Sequence, residues 1–146
     1  QARRDCLLEY APAIGMEVRV REDYGLRDFI RHVAADIDHR CAYCYEHRIE
    51  ETAKYAAEHG FSAFTSTLLA SLYQDHEGIA RAAERYAAQY GVEFLYRDFR
   101  PNFREGNRQA RELGFYMQKY CGCVFSEQDR YQKQIDRDRA KFAEAP

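Results

Sequence analysis

Two pairs of cysteines carry the residue types and spacing that could do chemistry. Cys121-Gly122-Cys123 sets two thiols one residue apart with Gly between them. Gly lets the backbone turn so that both sulfurs point one way. They could bind one metal or close a small strained disulfide ring. The Cα–Cα span of residues i and i+2 falls near the upper end of what a disulfide permits. Such a bond is easily reduced, as a redox shuttle requires. Cys41-Ala42-Tyr43-Cys44 has the spacing of zinc or iron–sulfur ligands. A thioredoxin-type motif needs a strand before it, and here a helical pattern precedes it, so metal ligation is the better reading. Two close pairs in one small chain invite a shared site. Cys6 lies on the apolar side of a helical stretch and reads as core.

Other candidates lie between the pairs. His76, in Tyr73-Gln74-Asp75-His76-Glu77, falls in the first turn of a helix after a strand-end loop, where α/β proteins place functional groups. Asp75 suits the N-cap of that helix. Arg100, Arg104, Arg108 and Arg111 recur at helical spacing and share one face. With Arg97 they make five Arg against Asp98 and Glu105, a stripe that can track phosphates or pair with carboxylates.

The elements that must position these residues are those of one domain. The 146 residues carry a net charge of −2, so no global field draws in nucleic acid, yet 18 of the 22 basic residues are Arg. Arg is the side chain suited to bidentate phosphate contact and to stacking on bases. Five cysteines, an odd number, favour a reducing cytoplasmic setting. No apolar run approaches a bilayer-spanning length, and the first ten residues are charged and helical in pattern, unlike a signal peptide.

In chain order, residues 3–13 predict a helix stopped by Gly15, and the alternation Met16, Val18, Val20 predicts a short strand. A turn at Asp23-Tyr24-Gly25 leads to a helix over Leu26–Ile37. The segment after Cys41 predicts a helix to His59, stopped by Gly60, and Phe61–Thr67 predicts a strand. Residues 68–74 read as a loop. Asp75 opens a helix to Tyr90, Gly91 stops it, and Val92, Phe94 and Tyr96 alternate as a third strand. Pro101 starts a helix to Leu113, and a last charged helix begins near Ser126 and frays after Arg139. Tyr10-Ala11, Tyr55-Ala56 and Tyr86-Ala87 precede Gly15, Gly60 and Gly91 by one spacing. Repeated helix–Gly–strand units imply an α/β fold, a parallel sheet flanked by helices. Such a sheet ordinarily begins on a strand, whereas this pattern opens on a helix, so an N-terminal strand is expected to be missing.

Cys41-Ala42-Tyr43-Cys44-Tyr45 with Arg48-Ile49-Glu50-Glu51-Thr52-Ala53 resembles the iron–sulfur epoxyqueuosine reductase family of the QueH type. So do Phe64-Thr65-Ser66-Thr67-Leu68-Leu69, Tyr73-Gln74-Asp75-His76-Glu77, Tyr96-Arg97-Asp98-Phe99-Arg100-Pro101 and Gln118-Lys119-Tyr120-Cys121-Gly122-Cys123. The resemblance implies a Rossmann-like fold related to adenine-nucleotide hydrolases. It implies the last step of queuosine biosynthesis, two-electron removal of the epoxide oxygen of epoxyqueuosine at the tRNA wobble position. It also implies a 4Fe–4S cluster, with an additional iron beside it, and an electron donor. Cys41 and Cys44 are then expected to ligate the cluster, and Cys121 and Cys123 to be redox-active or to ligate as well. His76 and Asp75 are expected in catalysis, and Arg97, Arg100, Arg104 and Arg108 in substrate binding.

Two departures accompany the resemblance. The family's opening strand and Cys-Cys-x-Pro motif have no match in residues 1–20, the same gap that the sheet pattern predicts. Leu72 stands where the family has Pro. An alternative of another class is a non-catalytic, zinc-stabilised RNA-binding module using Cys41, Cys44, Cys121 and Cys123 as a tetrathiolate site.

Overall fold

The structure is a computed structural model that describes residues 2–143. Contacts group these residues into two compact units: Val20–Asn107, and the segment up to Arg19 together with that from Arg108 onward.

Val20–Asn107 is built on two helices and a parallel strand pair. Helices α2 (Leu26–Val33), α3 (Arg40–Glu58) and α4 (His76–Tyr90) accompany strands β1 (Ala63–Phe64) and β2 (Glu93–Phe94). The strands pair in parallel with Ala63 opposite Glu93 and Phe64 opposite Phe94. On α3 the buried positions are Tyr45, Ile49, Ala53 and Ala56; on α4 they are His76, Ile79, Ala82 and Ala83. This three-to-four spacing puts each set on one helix face. Ala53, Ala82 and Ala83 let the two helices approach closely, and Phe64, Leu69 and Val92 complete the core. Burying a side chain such as Leu69 or Ile79 stabilises by about 1.5–3 kcal/mol.

The helix–Gly pattern is borne out at the backbone. Gly15, Gly60 and Gly91 have φ of 65°, 73° and 67°. The residue after each donates its N–H to the carbonyl of the Ala four positions before the Gly: Met16 to Ala11, Phe61 to Ala56 and Val92 to Ala87. This is the bond that closes a helix on a left-handed residue. Phe115 to Ala110 across Gly114, the expected stop of the helix to Leu113, is a fourth instance, outside the repeat because no Tyr precedes that Ala.

Several expected elements differ. The expected strand at Met16, Val18 and Val20 is not part of any sheet among the described residues. Met16 and Val20 are 42% and 37% exposed, and alternation without a partner strand leaves only an irregular segment. The parallel sheet therefore has two strands rather than three. Tyr96 leaves β2 because its N–H turns back to the Phe94 carbonyl at 3.0 Å. Helix α2 stops at Val33, short of Ile37, where Asp36 accepts from the His39 backbone and ring in a competing turn. The expected strand Phe61–Thr67 is only Ala63–Phe64, and Thr67–Ala70 forms a 3₁₀ turn that takes its last residue and the start of the expected loop, with Ser66 accepting from the Leu68 N–H.

In the other unit, α1 (Ala2–Tyr10) runs into a 3₁₀ turn over Ala11–Ile14. Helix α1 has no buried residue, and Cys6 is half-buried rather than core. Helix α5 (Phe103–Glu112) crosses from one unit into the other. Helix α6 (Val124–Ala143) starts before Ser126 and runs past Arg139. It starts early because the Cys123 carbonyl already accepts the Glu127 N–H at 3.0 Å.

Candidate active site

In Val20–Asn107 the site begins at the start of α3. Cys41 and Cys44 lie in its first two turns, three residues apart and so on one face; Cys41 is exposed and Cys44 half-buried. Beside them Tyr45 is 6% exposed, and its hydroxyl accepts the Asp75 N–H at 3.2 Å. Burial pushes the Tyr45 phenol above its usual range, and Cys41, Asp75 and Cys44 lie within its electrostatic reach. Tyr45 thus ties the cysteine-bearing helix to the start of α4.

Asp75 caps α4 as expected, its carboxylate accepting the Gly78 N–H at 2.9 Å. A Cβ at position 78 would lie 2.4 Å from the Asp75 carboxylate, so Gly is what leaves room for the cap. His76 follows, 8% exposed. Its Nε2 lies 3.0 Å from the Tyr96 hydroxyl, and the two rings meet edge to face. Its Nδ1 is buried without a hydrogen-bond partner among the described residues.

The carboxyl ends of β1 and β2 open on a cleft of about 470 Å³. Thr65, Ser66 and Thr67 after β1, and Phe99, Asn102 and Phe103 after β2, contribute to its lining. No ionised side chain lines it. This is the end of a parallel sheet where ligands bind.

Arg104, Arg108 and Arg111 lie on α5 at the predicted helical spacing, and Arg100 falls outside that helix. Arg100 closes on Asp98 with two hydrogen bonds, 2.9 Å from Nε and 2.7 Å from Nη2. These bonds hold the Asp98 carboxyl at about 2, below its usual value. Arg100 stands in a 3₁₀ turn over Arg100–Asn102, ahead of α5. Arg97 lies over the Phe99 ring at 5.8 Å. On α5, Arg108 pairs with Glu112 one turn on. Arg104 makes no ion pair with the described residues.

Cys121 and Cys123 belong to the other unit. The Cys121 sulfur is 3.0 Å from the Ser126 hydroxyl, and that hydroxyl donates to the Cys123 carbonyl at 2.8 Å. Its single hydrogen being so used, the Cys121 thiol is the donor to Ser126. Gly122 has φ of 106°, beyond what other residues adopt readily. Arg3 donates to the Cys121 carbonyl at 3.2 Å, and Tyr120 donates to Glu127 at 3.0 Å, fastening the turn to α6.

A cluster of the 4Fe–4S type takes thiolates. Cys41 and Cys44 fit as two of its ligands: adjacent turns, one helix face and partial exposure. Among the described residues no set of three or more His, Cys, Asp or Glu is gathered to hold a metal.

Comparison with known proteins gives the family. The family described as "Epoxyqueuosine reductase QueH" matches residues 1–129. The chain belongs to that family. It is 35% identical to the epoxyqueuosine reductase QueH of Dehalococcoides mccartyi over 133 residues, covering 91% of this chain and 73% of the relative. The corresponding protein of Thermotoga maritima is 32% identical over 151 residues, covering 97% of this chain and 78% of the relative. That of Haemophilus influenzae is 35% identical over 107 residues, covering 70% of this chain and 43% of the relative.

Within this QueH-family chain, three parts of the site were not foreseen as such. Tyr45 and Tyr96 each stood inside a recognised motif, but only the fold shows one gripping Asp75 and the other gripping His76. Ser126 was taken for a helix start, and its three-residue offset from Cys123 was the signal for a hydroxyl bonded back to that carbonyl.

Proposed function

We propose that this chain reduces epoxyqueuosine to queuosine in the anticodon loop of tRNA, removing the epoxide oxygen with two electrons. One observation carries the reading. In a chain of the QueH family, Tyr45 joins the Cys41–Cys44 helix start to Asp75, next to the His76–Tyr96 pair. The site therefore offers thiolates for a metal centre beside groups able to hold and move protons.

A single amino-acid side chain does not readily supply two electrons, so a cluster or a dithiol does the electron transfer. Cys41 and Cys44 are proposed to hold a 4Fe–4S cluster, which when bound supplies electrons one at a time. An additional iron and the participation of Cys121 and Cys123 as ligands or as a redox pair belong to the same proposal. The cleft at the strand ends is proposed to receive the modified base, extruded from the single-stranded loop. Phe99 and Phe103 offer it ring surfaces, and Thr and Asn side chains offer hydrogen bonds. Arg104, Arg100, Arg97 and Arg108 are proposed to contact phosphates, with Arg100 freed from Asp98 on binding. A tRNA substrate places the reaction in the cytoplasm. No helix among the described residues is long and apolar enough to cross a membrane.

The test is anaerobic loading of the 146-residue chain with iron and sulfide, followed by epoxyqueuosine-containing tRNA and reduced methyl viologen. Nucleoside mass spectrometry then reads the loss of one oxygen. Product formation by a brown, iron-loaded protein is the expected outcome. A colourless zinc-loaded protein that binds RNA and yields no product would instead establish the tetrathiolate module.

A further inference from the structure

We propose that Tyr96 delivers the proton to the departing epoxide oxygen, and that His76 is the residue that positions it. The inference rests on the reductase reading above and divides the His76–Tyr96 pair into a proton donor and the residue that positions it.

The reaction cannot run on electrons alone. Both carbon–oxygen bonds of the epoxide break, two electrons enter from a low-potential one-electron reductant, and the oxygen leaves as water with two protons. The carbons that carried it are left joined by a double bond. An oxygen that leaves without a proton leaves as a strong base, so a proton donor at that atom lowers the barrier. Positioned acid–base groups contribute about 10²- to 10⁴-fold.

Tyr96 stands at the same end of the strand pair as the cleft, outside its lining residues. It follows β2 at the carboxyl end of the parallel pair, and it is 55% exposed. Its hydroxyl rests on His76 Nε2 at 3.0 Å, while His76 itself is buried. The two ring nitrogens of His76 then decide which way the phenol hydrogen points. If Nε2 accepted from Tyr96, Nδ1 would carry a hydrogen with no acceptor, and buried orphan N–H groups are rare. If Nε2–H donates to Tyr96, Nδ1 is left with an unused lone pair, which is less costly, and the phenol hydrogen is free to face solvent and substrate. The geometry therefore favours the Nε2–H tautomer. In that arrangement the phenolate formed on donation keeps a hydrogen bond from His76. The second proton arrives after Tyr96 is reloaded from water through its open face. In the free protein Asp98, within electrostatic reach of His76, is closed on Arg100.

Three measurements on the full chain test this. In the metal-free protein, long-range proton–nitrogen NMR should show His76 with a bare Nδ1; a protonated Nδ1 would overturn the arrangement. In the iron-loaded protein, Tyr96→Phe should lower kcat by about 100-fold while tRNA affinity, iron content and melting temperature stay at wild-type values. His76→Gln keeps an N–H that can reach the phenol and should retain more activity than His76→Ala. Partial recovery of His76→Ala by added imidazole should follow, which a purely structural His76 would not give. Wild-type turnover with an undiminished Tyr96→Phe variant overturns the inference alone. Absence of product from the wild type overturns the reductase reading and this inference together.

Discussion

The two cysteine pairs sit at the starts of two long helices, and they are held in opposite ways. Cys41 and Cys44 are already inside α3, so the helix repeat fixes the offset between them. Behind them Tyr45 is buried in the core and bonded to the Asp75 backbone. Cys121 and Cys123 precede α6, in a turn that depends on Gly122 at φ 106° and on the Ser126 hydroxyl. The first pair is rigid because regular structure and packing determine it. The second is set by one glycine and a few surface hydrogen bonds. Rigid, preset ligands suit a metal centre. A pair on a turn suits sulfurs that must approach and separate during exchange. From this contrast we propose different roles for two motifs of similar composition.

The largest expected effect breaks or keeps that division. Cys41→Ser and Cys44→Ser should each lose most bound iron and, with it, turnover. Cys121→Ser and Cys123→Ser should abolish turnover while iron stoichiometry and absorbance persist. Iron loss in all four variants would make both pairs ligands and remove the distinction.

Gly122→Ala sharpens it next. At φ 106° a Cβ is strained whatever the space, and here it would also meet the Gln118 amide nitrogen at 3.3 Å. Holding such a conformation costs on the order of 1–3 kcal/mol. The turn should relax instead of the whole unit unfolding. The check is the distance-dependent rate at which Cys121 and Cys123 close a disulfide under mild oxidant. An altered rate with unchanged iron content confirms that the turn serves exchange; a rate equal to wild type denies it.

These elements also show what the sequence makes legible. The helical segments after Cys41 and Asp75, the Asp75 cap and the glycine stops are local, and each is legible in the sequence. Strand pairing is not local. Gly60 and Gly91 feed β1 and β2, whereas Gly15 is closed by the same backbone bond and feeds no strand. Nothing in Met16–Val20 itself announces that difference, because a ladder depends on a partner elsewhere in the chain. The candidate site divides in the same way. Cysteine spacing is written in the chain, while the grip of Tyr45 on Asp75 spans 30 residues and that of Tyr96 on His76 spans 20.

Helix α5 offers a smaller effect. Arg104 makes no ion pair with the described residues, whereas Arg108 already has Glu112. If Arg104 is a phosphate contact, as proposed, it gives up no ion pair with the described residues to make it. Arg104→Ala should therefore reduce the slope of log affinity for tRNA against log salt by roughly 0.7–0.9, as for one phosphate contact. Arg108→Ala should change it less. Equal slopes for wild type and Arg104→Ala would return this face to plain solvation.

The smallest effect concerns Asp98. Its carboxyl is held at about 2, first by the hydrogen bonds from the Arg100 side chain and then by that from the Arg100 backbone. A folded value below the unfolded one means the ionised form is favoured in the native state. The contribution is fully present above the ordinary carboxylate value of 3.8 and is lost as pH falls through about 2. The pair is largely open to solvent, so its share of global stability is small. Local titration is the sensitive measurement. Carbon-13 NMR of the Asp98 carboxyl should give a midpoint near 2, and Arg100→Ala should move it up toward 3.8. If tRNA draws Arg100 away to a phosphate, saturating RNA should move the wild-type midpoint in that same direction. A midpoint unmoved by RNA would mean that Arg100 stays with Asp98, leaving Arg104 as the better candidate for the phosphate contact.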